Sequence, residues 1–241
     1  QVRHVLKAKY PIPLNDQMRR LTVRLCIGLD YLLRRRGPLT ISAGQAGVFA
    51  RTRPDLADPD MQIHFLTLST DQPGKSLHPF SGFTASVCQL RPESRGNVRA
   101  ASPDASGAPR IVAGYLSAPE DQQVIVDAMK LTRRILAAPA MAAHILEEIL
   151  PGPGVQDDAA LLDAARRIGG SIFHPVGTCK MGPQSDRMAV VDDQLRVHGV
   201  AGLRVIDASI MPTLISGNTN APAIMIGEKG ADMVLETAKA T

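Results

Sequence analysis

Two turn-rich stretches, ESRGN at 93–97 and SPDASGAP at 102–109, separate short runs of strand pattern, and this spacing restricts the fold more than any other feature. Residues 61–68 alternate loosely. Residues 82–90 read as a further strand with Phe83, Ala85 and Val87 on one face, and 98–101 and 111–115 as two shorter ones. Strands joined by so few residues pair antiparallel, because a parallel neighbour needs a crossover of about a dozen residues or more. GPLTISAGQAGVFA, at 37–50, is punctuated by glycines and reads as a loop.

Helical spacing flanks this sheet pattern. Leu21, Leu25, Leu29, Leu32 and Leu33 predict one helix over 15–36 with a buried face and Asn15 or Asp16 as its cap. Ser117, Pro119 and Glu120 form a capping box that opens a second helix, interrupted at Pro139. A further helical piece is expected to reach Leu150, PGPG at 151–154 breaks the chain, and another helix covers 157–168. The expected class is α+β: an antiparallel sheet covered by helices.

At 241 residues, 44% apolar and 21% charged, the chain has the composition of a soluble globular protein. It has no uninterrupted apolar run of about eighteen residues, so no integral membrane segment is expected. The opening QVRHVLKAKYPIP lacks both an initiator methionine and the apolar centre of a signal peptide, so either a trimmed start or a chain that is part of something longer is expected. The net charge of +4 is spread along the sequence except at Arg34, Arg35 and Arg36, which suit the carboxyl end of a helix dipole. No recognition motif accompanies that triplet, and no nucleic-acid partner is expected. Cys26, Cys88 and Cys179 fit neither a disulfide framework nor a zinc site, which favours a reducing, cytoplasmic setting.

Phe173 to Gly182, FHPVGTCKMG, can be neither helix nor regular strand, since Pro175 and Gly177 sit too close together. Other catalytic signatures fail. STDQPGKS at 69–76 has Ser69 where a phosphate loop needs glycine, GxSxG is absent, His174 and Cys179 lack further metal ligands, and none of the twenty glycines forms GxGxxG.

FHPVGTCKMG and GLRVIDASIMPTLISGNTNAPAIMIGEKGADM, with VVDDQLRVHGV between them, resemble the carboxyl-terminal signature of the glucose-methanol-choline family of FAD-dependent alcohol oxidoreductases. GPLTISAGQAGVFAR, LRPESRGNV and the region 118–139 resemble that family more weakly. The resemblance implies that 1–190 are mostly a substrate-binding domain. Residues 191–241 would return as a strand over 203–206, a loop and a helix from about Asn220 to complete an α/β FAD-binding domain. The amino-terminal dinucleotide-binding part would lie outside this sequence, so the implied partners are a small alcohol and that missing portion or a complementary chain. FAD belongs to the complete protein.

The resemblance also implies roles. His174 is the base that takes the hydroxyl proton as hydride leaves for the flavin, a role that histidine suits near neutral pH. Asn218 donates to the same oxygen. Thr219 and Asn220, at the start of the last helix, and Asp207 and Ala208 contact the cofactor. By themselves, Asn218 also reads as a turn asparagine and Asp207 as a loop cap. Cys179 and Met181 read as packing behind the histidine loop. With five Phe, three Tyr and no Trp, a neutral primary alcohol is favoured over a choline-like cation. The alternative is a catalytically silent fragment or interaction module.

Overall fold

The computed structural model describes residues 1–239 apart from 12, 43 and 73, in two compact units. The first comprises Gln1–Gln89 and Pro119–Gly170, the second Leu90–Ala118 and Ser171–Thr241 as bounded by chain contacts.

Unit 1 is built on a five-stranded antiparallel sheet. Its strands are β1 (Val2–Ala8), β2 (Gly44–Ala50), β3 (Met61–Leu66), β4 (Gly82–Gln89) and β7 (Ile145–Leu150), in the order β2-β3-β4-β1-β7. The fold class read from the sequence is therefore observed in this unit. β4, central between β3 and β1, is buried from Gly82 to Cys88, its polar Thr84 and Ser86 included. Helix α3 (Pro119–Leu136) covers it with Ile125, Val126, Met129 and Leu136, and α5 (Asp158–Ile168) packs beside α3 through Leu161, Ala164 and Ala165. Asp157 caps α5, its Oδ1 accepting from the Ala160 amide at 2.8 Å.

Several expectations for this unit are corrected. The segment 145–150 is strand, not helix: after the short α4 (Pro139–Ala142) it pairs with β1, where Leu6 faces Glu148, and a sheet edge supplies partners that no local signal advertises. β1 and β2 form where no strand was expected, and the glycine-punctuated 44–50 run pairs with β3 through a register irregularity at Gly44/Ala46.

The helix expected over 15–36 is two, α1 (Leu14–Arg19) and α2 (Leu21–Arg34), because Arg20 takes extended backbone between them. Its leucines are exposed: none of Leu21, Leu25, Leu29, Leu32 and Leu33 is less than 57% accessible. Asn15 is no cap but a fully buried tie. It donates from Nδ2 to the Ser69 and His78 carbonyls at 3.1 and 3.0 Å and accepts from the Ser69 amide at 2.9 Å, which satisfies an amide that would otherwise be costly inside.

One charged cluster fastens unit 1. Arg133 of α3 forks onto Glu148 of β7 at 3.2 and 2.7 Å, and Glu148 also holds Nδ1 of the fully buried His4 of β1 at 2.9 Å. Arg133 reaches on to the Val155 and Gly152 carbonyls.

Unit 2 holds a two-stranded hairpin, β5 (Asn97–Arg99) with β6 (Arg110–Val112), where the sequence placed two further strands. Its core gathers Val191, Leu195, Ile210, Met211 and Ile226. Ile226 lies in α6 (Asn220–Lys239), the helix expected from about Asn220. α6 comes close because Gly230 has no side chain: a Cβ there would stand 2.2 Å from Ile206 Cγ2. The strand expected over 203–206 reduces to an isolated bridge between Arg204 and Arg196, too short to build a ladder.

Candidate active site

The irregular segment FHPVGTCKMG is irregular in the structure, and a short backbone framework holds it. The Cys179 amide donates to the Ser209 carbonyl at 3.0 Å and the Met181 amide to the Ile210 carbonyl at 2.7 Å, so the loop runs alongside 209–210. Gly177 makes the approach possible. It adopts φ +85°, and a Cβ there would sit 3.2 Å from the Met211 carbonyl oxygen. Farther along, the Val190 amide donates to the Lys180 carbonyl at 2.9 Å and Lys180 pairs with Asp186 at 2.7 Å. The ammonium beside Asp186, with the Met188 amide, holds that carboxyl below the usual carboxylate range.

Phe173 is the strained member. Its φ of +64° is one that a bulky residue rarely adopts, its amide donates to Ser171 Oγ at 2.9 Å, and its ring is 72% exposed. The backbone turns at Phe173 and delivers the His174 ring, half-buried, toward the start of α6.

Two side chains meet that ring. Asn218 Nδ2 lies 2.8 Å from His174 Nε2, and Thr219 Oγ1 lies 2.8 Å from Nδ1. Asn218 is exposed, whereas Thr219 is buried. The Thr219 carbonyl accepts from the Ala223 amide at 3.0 Å, the first bond of α6. The base expected at His174 and the amide expected at Asn218 are thus brought together from loops 44 residues apart.

The residues expected to contact the cofactor lie at the start of α6 and in the 207–210 turn. Asn220 is exposed at the first position of α6. Asp207 is exposed and caps the 3-10 turn Ala208–Ile210 by accepting from the Ser209 amide at 2.7 Å, so the local cap role read as its alternative is realised. Ala208 sits half-buried in that turn, whose Ser209 and Ile210 carbonyls hold the histidine loop. Sequence reading did not foresee that the Thr219 hydroxyl meets the imidazole. The available signal was its place directly after Asn218 and before a helix start, where a threonine side chain ordinarily caps.

These residues suit a flavin. The pair opens to solvent through Asn218, with Phe173 and Ile215 as exposed apolar surface in the adjoining loops. α6 begins at Asn220, and its amino-terminal end favours negative charge.

Residues 92–227 match the family model described as GMC oxidoreductase, for its carboxyl-terminal domain. Among curated proteins, the oxygen-dependent choline dehydrogenase 1 of Chromohalobacter salexigens is 45% identical over 208 residues, covering 86% of this chain and 37% of that protein. The alcohol dehydrogenase [acceptor] of Pseudomonas putida is 40% identical over 210 residues, covering 87% and 38%. Among solved structures, a variant of the formate oxidase of Aspergillus oryzae, studied for its FAD modification, superposes with a TM-score of 0.86 at 22% identity. It covers 99% of this chain and 46% of that one, a likeness of fold. The chain belongs to the GMC oxidoreductase family. It spans less than two fifths of the length of the curated relatives it matches.

Proposed function

We propose that the chain is the carboxyl-terminal part of an FAD-dependent oxidoreductase that oxidises a primary alcohol to an aldehyde, with His174 as the base. The observation that carries this reading is the 2.8 Å approach of the Asn218 amide to His174 Nε2 at a solvent-accessible edge. A hydroxyl entering there takes the amide's place on the lone pair, donating to Nε2 while its oxygen accepts from the Asn218 N–H. The names of the two relatives, a choline and an alcohol dehydrogenase, support the reaction class.

The residues divide the work as follows. His174 takes the hydroxyl proton at Nε2 as the C–H bond breaks, and Asn218 donates to the oxygen while negative charge grows on it. FAD, when bound, supplies the hydride acceptor. The first turn of α6, at Thr219 and Asn220, would lie where negative charge gathers on the cofactor, and Asp207 and Ala208 would flank it. The dinucleotide turn is supplied by sequence beyond this chain.

The test is anaerobic flavin reduction by a panel of alcohols, choline included, using the chain co-expressed with the amino-terminal portion of the protein. Neutral primary alcohols are expected to reduce the flavin, and His174→Ala to slow reduction by ~10²–10⁴-fold while flavin is retained. Reduction at an unaltered rate in His174→Ala would remove the base assignment. The chain purified alone is expected to be colourless, and flavin absorbance retained through gel filtration would contradict that.

A further inference from the structure

The two nitrogens of His174 face different kinds of partner. An amide nitrogen carries only N–H groups, so Asn218 Nδ2 at 2.8 Å requires Nε2 to present its lone pair. In a neutral ring the proton then resides on Nδ1, and Nδ1–H donates to Thr219 Oγ1 at 2.8 Å. Deepening the base reading of His174 and resting on it, we propose that Thr219 is a positioning residue. Its hydroxyl oxygen accepts Nδ1–H and, together with the Asn218 amide at Nε2, holds His174 in the Nδ1–H tautomer, so that a substrate hydroxyl taking the amide's place finds the Nε2 lone pair.

Three further features make Thr219 suited to that task. It is 7% exposed, so its hydroxyl has little water to turn to, and a buried hydroxyl takes a protein partner. Its backbone is fixed as well, because its carbonyl accepts the Ala223 amide at the start of α6, and a β-branched side chain keeps few rotamers. Among the described residues its hydroxyl bonds the imidazole, although a threonine before a helix usually turns its oxygen onto the first-turn amides. When Nε2 takes a proton, the ring becomes a donor at both nitrogens. Thr219 Oγ1 then remains an acceptor for Nδ1–H without receiving the proton itself.

The direct test reads the tautomer. The 241-residue chain, labelled with 15N in its six imidazoles, gives long-range 1H–15N correlations that distinguish Nδ1–H from Nε2–H rings, with His174 assigned by the signals lost in His174→Gln. His174 is expected to show the Nδ1–H pattern. Thr219→Ser, which keeps the oxygen, should preserve it, and Thr219→Val should replace it with a mixture containing Nε2–H. Thr219→Ala serves as a second hydroxyl-free variant if valine prevents folding.

In the flavin-loaded protein the rate should follow the tautomer. Thr219→Val should lose at least about tenfold of the ~10²–10⁴ that a placed base contributes, and Thr219→Ser should restore most of it. An Nε2–H ring in the unaltered chain, or an Nδ1–H pattern unchanged in both hydroxyl-free variants, would overturn the proposal. The spectra decide the tautomer and His174→Ala kinetics decide the base, so the two readings fail separately.

Discussion

His174 Nε2 and Asn218 Nδ2 stand 2.8 Å apart, although 44 residues separate them in the chain. A donor so close to the proton-accepting nitrogen gives a specific expectation for replacements at 218. Asn218→Ala removes a donor aimed at the developing oxyanion and should slow flavin reduction by ~10²-fold or more. Asn218→Asp should be at least as slow, since a carboxylate can only accept and draws the imidazole proton onto Nε2. Stopped-flow reduction of both variants checks this, and an aspartate variant faster than the alanine variant would contradict the donor role.

The strained loop that delivers His174 makes an opposite pair of predictions for stability. Phe173 holds φ +64° with its ring mostly in solvent, so Phe173→Gly relieves a left-handed backbone cost of ~1–2 kcal/mol while losing little burial. Against that, glycine adds ~0.5–1 kcal/mol of unfolded-chain entropy, which leaves a net gain of ~0–1.5 kcal/mol. Gly177→Ala meets both φ +85° and the Met211 carbonyl, and should lose ~1–3 kcal/mol. Denaturant unfolding measures both. Flavin reduction should slow in both, because each slackens or displaces the loop.

Residue chemistry singled out the histidine loop in the sequence and the family resemblance supplied the roles, whereas the sheet was only half legible. FHPVGTCKMG could form no regular element, so its irregular path and its histidine stood out. The meeting with Asn218 followed from the family resemblance and not from spacing. β4 was readable because Phe83, Ala85 and Val87 alternate onto one face. β7, ILEEIL, carries two glutamates and no turn signal, and becomes a strand only because β1 offers an edge. α2 shows a different gap: periodicity reveals that a leucine stripe exists and says nothing of what covers it.

That stripe yields its own prediction. Leu21, Leu25, Leu29, Leu32 and Leu33 lie on the outward face of α2, while Val23, Ile27 and Tyr31 turn inward and are half-buried. A contiguous apolar face of this kind binds hydrophobic dyes. Combining Leu25→Lys, Leu29→Glu and Leu32→Lys should lower anilinonaphthalene sulfonate fluorescence of the isolated chain. Stability should stay within ~0.5 kcal/mol per substitution, since no buried contact is removed. Unchanged dye binding would mean that the face is not the accessible one.

The cluster of Arg133, Glu148 and His4 gives unit 1 an acid-dependent component of stability. Burial pushes the Glu148 carboxyl up, but the hydrogen bonds and charges of His4 and Arg133 outweigh it and hold the group below its ordinary value of 4.5. A carboxyl with a depressed folded value stabilises the fold in full above about pH 4.5. It loses that contribution as pH falls through the folded value, because the unfolded chain binds the proton first. Glu148→Gln should therefore cost ~2 kcal/mol at pH 7, since it leaves the Arg133 guanidinium without its carboxylate. The gap between the variant and the unaltered chain should narrow steadily below pH 4.5. Urea unfolding at pH 7, 5 and ~3.5 reads that gap, and a difference that stayed constant or widened toward acid would show that the cluster's charge does not couple to folding.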